Sequence, residues 1–296
     1  MNKNLRGASI LLLAAIIWGF AFVAQSEGME NVGAFTFQAS RMLLASLVLL
    51  PTSMIFAAKR EKATGTSEPF LDKKTLLAGA ACGFFLFGAA TLQQIGIAYT
   101  SVGHAGFLTA LYILIVPLLG IFTGKRVSAR IWLCILLALA GLYLLCMTGE
   151  GFSMSLGDVL TLLCAFVFAL HIITVDKLAG TLDGVKVSFV QMTFAGLISL
   201  ICAFIFEEPR FSDIAAAWMP IAYAGVLSCG VAYTLQIVGQ KYAEPTVASI
   251  VMSLESVFAV LGGAWLLSQV PALHELAGCA LMFTATVISQ LPQKKR

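Results

Sequence analysis

Away from its polar connections this chain carries two charged side chains deep inside apolar runs, one cation and one anion. Arg41 stands seven residues into the run 34–57, where an unpaired guanidinium costs roughly 2.5–3.5 kcal/mol. It must face other helices, either as a cavity cation that grips an anionic group through its planar fork, or as a structural ion pair or capping contact. Glu255 falls near the middle of the run 246–267, with no basic residue on the same helical turn. It needs a partner or a proton, so it is a candidate ligand for a substrate amine and a candidate proton carrier. Pairing with Arg41, about 8 Å away in depth by helix rise, would instead make it structural.

His171 is the remaining titratable candidate, near the expected cytoplasmic end of its run and close to Asp176 and Lys177. Proton coupling is its functional reading, and a hydrated interfacial histidine is the plainer one. The amides Gln38, Gln93, Gln94, Gln191 and Gln236 must hydrogen-bond to helices, ligand or water. Gln38 and Gln94 are taken as substrate contacts, whereas Gln93 and Gln236 are read as symmetric packing. Trp18 and Tyr112 lie far from the interfaces, as walls of a substrate cavity or as ordinary packing, while Trp132, Trp218 and Trp265 look like belt residues. The seven cysteines lack metal or redox spacing and read as packing. Gly79 with Gly83 and Gly120 with Gly124 have spacing for close helix approach. No metal and no cofactor is implied.

The elements that must position these groups follow from composition. The 296 residues are 59% hydrophobic and 11% charged, with a mean hydropathy of +0.94, so lipid is the main solvent. A bilayer core about 30 Å thick needs roughly 20 apolar residues per helix. Apolar runs at 8–25, 34–57, 75–98, 103–123, 131–148, 157–175, 186–206, 217–239, 246–267 and 273–290 give ten spans. The longest link, 58–74, is polar and expected to be flexible. With the N-terminus in the cytoplasm, sixteen of the eighteen Lys and Arg residues fall on that side, and only Arg210 falls opposite. This bias predicts an inner or plasma membrane protein with both termini cytoplasmic. It leaves no nucleic-acid reading. Lys3 and Arg6 precede a run too long, and without a small-x-small site, for a cleaved signal, so the first run is read as a span.

Sliding the sequence by 143 aligns Gln93 with Gln236, Gly96 with Gly239, Tyr99 with Tyr242 and Leu118 with Leu261 without a gap. A weaker match at 150 pairs Leu12 with Leu162 and Ala15 with Ala165. Five helices per unit is an odd number, so a second copy runs through the membrane in the opposite sense. The expected fold is an all-α membrane protein of ten transmembrane helices in two inverted five-helix repeats, residues 1–149 and 150–296. Secondary transporters use such duplication to expose a midplane site alternately to either side.

Trp18-Gly19, Arg41-Met42-Leu43-Leu44-Ala45, the Tyr99-Thr100-Ser101 turn and the Gly-rich pairs that close each half resemble the EamA-type branch of the drug/metabolite transporter superfamily. The resemblance covers the whole length. It implies ten helices and movement of small metabolites, often outward, with amino-acid exporters among familiar members. The chain departs from the Leu-Gly-Glu triplet that ends the fourth and ninth helices of many members, reading Gly124-Lys125-Arg126 and Leu267-Ser268-Gln269. Roles tied to those glutamates do not carry over. A proline near the start of those helices is replaced by Ser256 in one and comes a turn later, at Pro117, in the other.

The expectation is therefore a secondary transporter, not an enzyme, exporting amino-acid-like compounds by alternating access. Its partners are a small-molecule substrate, the lipid bilayer and candidate coupling protons. The oligomeric state stays open. The alternative is an intramembrane enzyme acting on lipid or peptide, for which no G-x-S-x-G, H-E-x-x-H or Asp-rich motif is present.

Overall fold

In hydrocarbon a backbone amide has no water to bond, so each apolar run folds into helix, where its donors and acceptors are satisfied internally. The computed structural model describes residues 3–65, 69–100, 102–146, 155–266 and 271–291. Glu150, Ser101, Leu267-Ser268-Gln269 and the basic Lys294-Lys295-Arg296 tail lie outside the described residues.

The main elements are α1 (Lys3–Gly28), α2 (Ala34–Thr64), α3 (Lys73–Ile97), α4 (Val102–Ala110 and Tyr112–Phe122), α5 (Ala129–Cys146) and α6 (Leu156–Thr174, continued by a π-helical turn Val175–Ala179). They are followed by α7 (Gly184–Phe206), α8 (Trp218–Ala222, π-helical Tyr223–Ala232, then Tyr233–Gln240), α9 (Pro245–Met252 and Glu255–Leu266) and α10 (Leu273–Gln290). Eight of these are long and apolar enough to cross a membrane, while α5 contributes the shorter apolar stretch Ala129–Leu145. No strand occurs among the described residues. Large apolar side chains such as Phe84, Phe122, Leu133, Phe204 and Trp265 are exposed on the outside of the bundle. A water-facing protein rarely shows this much apolar surface, and a lipid-facing one requires it.

Local chemistry sets the helix ends. Asp72 caps α3 by accepting the Thr75 amide at 2.9 Å, and hydrogen bonds from Thr75 hold its carboxyl below the ordinary carboxylate value. Ser155 and Asp158 form a reciprocal capping box at the start of α6. The N-cap of α2 is Gly33, which has no side chain to offer. Its free amides are met from far along the chain, because the Glu207 carboxylate at the end of α7 accepts Phe35 N at 2.9 Å, Thr36 N at 2.8 Å and the Thr36 hydroxyl at 2.6 Å. The rings of Phe35 and Phe206 stack beside it, 5.7 Å apart.

Helix α2 packs along α7, α5 along α10, α3 against α6 and α7, and α1 against α8 and α9. Glycines permit the closest approaches. A Cβ on Gly83 would stand 2.8 Å from the Gln191 carbonyl, and one on Gly278 would stand 2.6 Å from the Gly141 carbonyl. Gly7 of α1 lies against Gly239 and Tyr242, and Gly157 of α6, 150 positions later, lies against Gly96 and Tyr99, each 143 positions earlier than its counterpart.

Two expectations need correction. Helix α2 runs on to Thr64, where Gly65 closes it at φ 69°, so part of the link expected at 58–74 is helix. Lys59, Arg60 and Lys62 keep their polar side chains outside the apolar core, and nothing stops the helix before glycine. Gly120 and Gly124 do not mediate helix packing, because among the described residues no atom of another helix lies within 4 Å of where a Cβ on either would stand. Gly124 instead adopts φ 81° in the turn after α4.

Candidate functional site

Both fourth helices of the expected repeats are broken, α4 at Leu111 and α9 at Ser253 and Leu254. These breaks are 143 positions apart, and each is followed at once by a polar residue, Tyr112 in α4 and Glu255 in α9. The two meet: the Tyr112 hydroxyl donates to Glu255 Oε1 at 3.0 Å. A carboxylate in the first turn of a half-helix also sits at the positive end of its dipole. At the break the Leu254 amide turns to the Val251 carbonyl, and the Ser253 hydroxyl bonds the Ile250 carbonyl at 2.9 Å in its place.

Around this pair lies a narrow cavity of about 40 Å³. Trp18, Phe168 and Tyr233 supply aromatic walls, and Phe22, Ile172 and Met252 supply apolar ones. Trp18 and Tyr233 meet edge to face with ring centroids 4.8 Å apart. Arg41 enters from α2, 4% exposed. Its Nε donates to Gln38 Oε1 at 2.8 Å and its Nη2 bonds the same oxygen, while the guanidinium lies over the Phe37 ring. No carboxylate pairs with Arg41 among the described residues, and the direct contact with Glu255 considered from helix rise is not made. A cation braced by a neutral amide and a carboxyl group braced by a phenol therefore share one cavity, each with capacity left for a ligand.

The amides divide differently from the sequence reading. Gln93 and Gln236, read as packing, both line the cavity, with Gln93 Nε2 donating to Thr109 at 3.2 Å. Gln94 does not line it and turns to α1, donating to the Gln25 carbonyl at 3.3 Å. Neighbouring residues on a helix point about 100° apart, so only one of the two can face inward. Gln38 is fully buried behind Arg41 and braces it without reaching the cavity. Trp18, Arg41, Tyr112 and Glu255 are the expected site residues that do line it.

His171 is not at a hydrated interface. Because α6 continues through a π-helical turn to Ala179, the ring lies two turns inside and is 0% exposed. It bonds Gln191 at 3.1 Å, and its ring meets that of Tyr233 edge-on at 6.1 Å. It does not reach the cavity.

The sequence reading missed Phe168, Tyr233, Gln25 and Ser228. The repeat offsets were a usable signal for one of them, since Trp18 maps onto Phe168 by the same 150 that maps Phe22 onto Ile172. Polar atoms beside the cavity lack protein partners, namely Trp18 Nε1, Gln25 Oε1 and Gln236 Oε1. Buried polar groups are normally satisfied, so these are places for water or ligand. No cluster able to hold a metal occurs among the described residues.

Toward the end of the bundle rich in basic residues, Leu11, Val116, Ala248 and Val251 pack into a buried apolar layer. Beyond it a wider vestibule of about 340 Å³ is lined by Lys125, Arg126, Arg130 and Glu244. At this end Lys125 pairs with Asp176 at 3.2 Å.

The chain as a whole has relatives. The chain matches the EamA-like transporter family twice, over residues 5–147 and 155–290. It is 27% identical over 288 residues to a protein of Archaeoglobus fulgidus described as an uncharacterized transporter, covering 95% of this chain and 84% of that one. A second Archaeoglobus fulgidus protein with the same description is 24% identical over 282 residues, covering 95% and 96%. A solved structure described only as a crystal structure of protein aligns over 95% of both chains with a TM-score of 0.74 at 18% identity, which speaks to the fold alone. With the match repeated across both halves, this multi-pass membrane protein belongs to the EamA-like transporter family.

Proposed function

We propose that the chain is a secondary transporter that exports small amino-acid-like metabolites by alternating access. The observation that carries this reading is the sharing of one cavity by Arg41, from α2, and Glu255, from the break in α9. A compact zwitterion suits that pair. Its carboxylate matches the guanidinium fork left open by Gln38, its amine matches the carboxylate held by Tyr112, and its side chain has Phe22, Ile172 and Met252 to lie against. Glu255 also serves as the candidate carrier of a coupling proton, since an amine and a proton compete for the same oxygens.

In this reading all ten helices cross the inner or plasma membrane and both termini are cytoplasmic, as the distribution of Lys and Arg favours. Residues 1–149 and 150–296 are two five-helix units of opposite orientation. Support comes from the mirrored contacts of Gly7 with Gly239 and Gly157 with Gly96, and from the matching breaks in α4 and α9.

The test is uptake of radiolabelled amino acids into inverted membrane vesicles, with and without an imposed proton gradient. Export in the cell corresponds to uptake in this geometry. Accumulation that needs the protein and collapses with the gradient is the expected result. Absence of accumulation for every amino acid and amine tried, in correctly inserted protein, would remove the substrate reading.

A further inference from the structure

The repeat offset that relates Trp18 to Phe168 relates Arg41 of α2 to Gln191 of α7. Arg41 lies about 10 Å from the start of its helix by helix rise, and Gln191 lies about 10 Å from the start of its own, which enters from the opposite face. At the second position the amide of Gln191 is joined to the His171 ring at 3.1 Å, and both residues are 0% exposed. His171 Nδ1 and Gln191 Nε2 have no partner. Turning the amide over only moves the deficit to its other atom. Two adjacent, fully buried, unsatisfied polar groups are costly in a membrane interior, and packing alone does not account for them.

Tyr233 separates the pair from the cavity. Its ring lines the cavity on one side, against Trp18 at 4.8 Å, and meets His171 edge-on at 6.1 Å on the other. Position 90, which corresponds to Tyr233 by the 143 offset, is alanine. The guanidinium of Arg41 reaches its cavity, whereas its counterpart in the second half stands behind an aromatic ring.

We infer that His171 and Gln191 form a second carboxylate subsite, on the cytoplasmic side of the central cavity, uncovered when Tyr233 moves. This inference rests on the transporter reading above and names a further binding position for the same substrate. In the present conformation the carboxylate is offered Arg41. When the halves exchange shapes, the free Nε2 of the Gln191 amide, held in place by the neutral His171 ring, supplies donors nearer the cytoplasm. A substrate arriving from that side meets a neutral amide and an imidazole before it meets a permanent cation, so it is captured without being held tightly.

The experiment uses single-cysteine Gln191→Cys in full-length protein otherwise free of cysteine, probed with the small impermeant anion 2-sulfonatoethyl methanethiosulfonate and read by mass spectrometry. In inverted vesicles, where the cytoplasmic face is accessible, the cysteine reacts, and in right-side-out vesicles it is slower. Tyr233→Ala, which deletes the edge contacts to Trp18 and His171, raises the cytoplasmic rate about tenfold, equivalent to ~1.4 kcal/mol in the opening equilibrium. In His171→Cys, which keeps the Gln191 amide, acetate slows the reaction and ammonium chloride does not. His171→Cys provides a second reading should Gln191→Cys insert poorly. Gln236→Cys, on the cavity wall, is the reference. If it reacts while positions 171 and 191 stay inert with and without Tyr233, the subsite is overturned and the central cavity stands. If Gln236→Cys is inert from both sides, the transporter reading fails and the subsite with it. Equal protection by acetate and ammonium, or protection by neither, overturns the carboxylate assignment.

Discussion

Arg41→Ala is the substitution whose consequence follows most directly from geometry. Of the five N–H donors of the guanidinium, Nε and one on Nη2 are taken by Gln38, and three remain for a ligand. A substrate carboxylate engaging two of these makes charge-assisted hydrogen bonds, each worth about 1.5–3 kcal/mol net. Water refilling the emptied corner recovers part of that, so the expected net loss is about 2–3 kcal/mol, roughly 30- to 150-fold in affinity. The assay is competition binding or half-saturation of uptake in proteoliposomes, for an amino acid and for the amine made by removing its carboxyl group. The amino acid weakens by the stated factor and the amine changes little. Arg41→Lys recovers less than half of the loss in free energy, because a lysine offers no planar fork and cannot keep the two-point brace on Gln38. Equal weakening of amino acid and amine would assign Arg41 a structural role, and unchanged affinity for both would remove it from the site.

Glu255→Gln abolishes gradient-driven accumulation but leaves substrate exchange measurable if the carboxyl carries the proton, and weakens binding with or without a gradient if it holds only an amine; vesicle uptake and counterflow separate the two. Gly278→Val drives a side chain into the Gly141 carbonyl, 2.6 Å from the first added carbon, and destabilises the protein by about 1–3 kcal/mol, read as an earlier loss of the monodisperse peak on heating in detergent. Glu207→Ala removes three hydrogen bonds from the start of α2 and costs about 1–3 kcal/mol, with faster amide exchange at Phe35 and Thr36 as its local signature. A cysteine at position 65 labels from the cytoplasm only, and labelling from outside in intact cells would reverse the assigned orientation.

Where each helix runs was legible because the apolar runs are bounded by polar or turn-forming residues. The fourth run, read as 103–123, is helical over Val102–Ala110 and Tyr112–Phe122. Which face of a helix looks inward was much less legible. A membrane helix is apolar all round, so no stripe tells Gln93 from Gln94, and the choice between them was made the wrong way. The break at Leu111 had no local signal either, since leucine favours helix and Pro117 lies six residues beyond it. Arg41 and Glu255 stood out because lone charges inside apolar runs have few places to go. Tyr233 and Phe168 did not, because aromatic residues serve equally as walls, packing and lipid contacts. His171 was misjudged for a definite reason: a π-helical turn extends α6 past the polar residues that seemed to end it.

The cap on α2 bears on how the protein is made. Chains emerge from the ribosome N-terminus first, and α2 has been synthesised long before Glu207 exists. Until α7 is in place, Gly33 leaves the opening amides of α2 to water or lipid headgroups, so this first turn is loose while the early helices assemble. Arrival of Glu207 then completes α2, locking an early helix through a bond formed 171 residues later. Maturation of the first half thereby waits on insertion of the second, and a nascent chain stalled before α7 would expose an unfinished helix end to quality control.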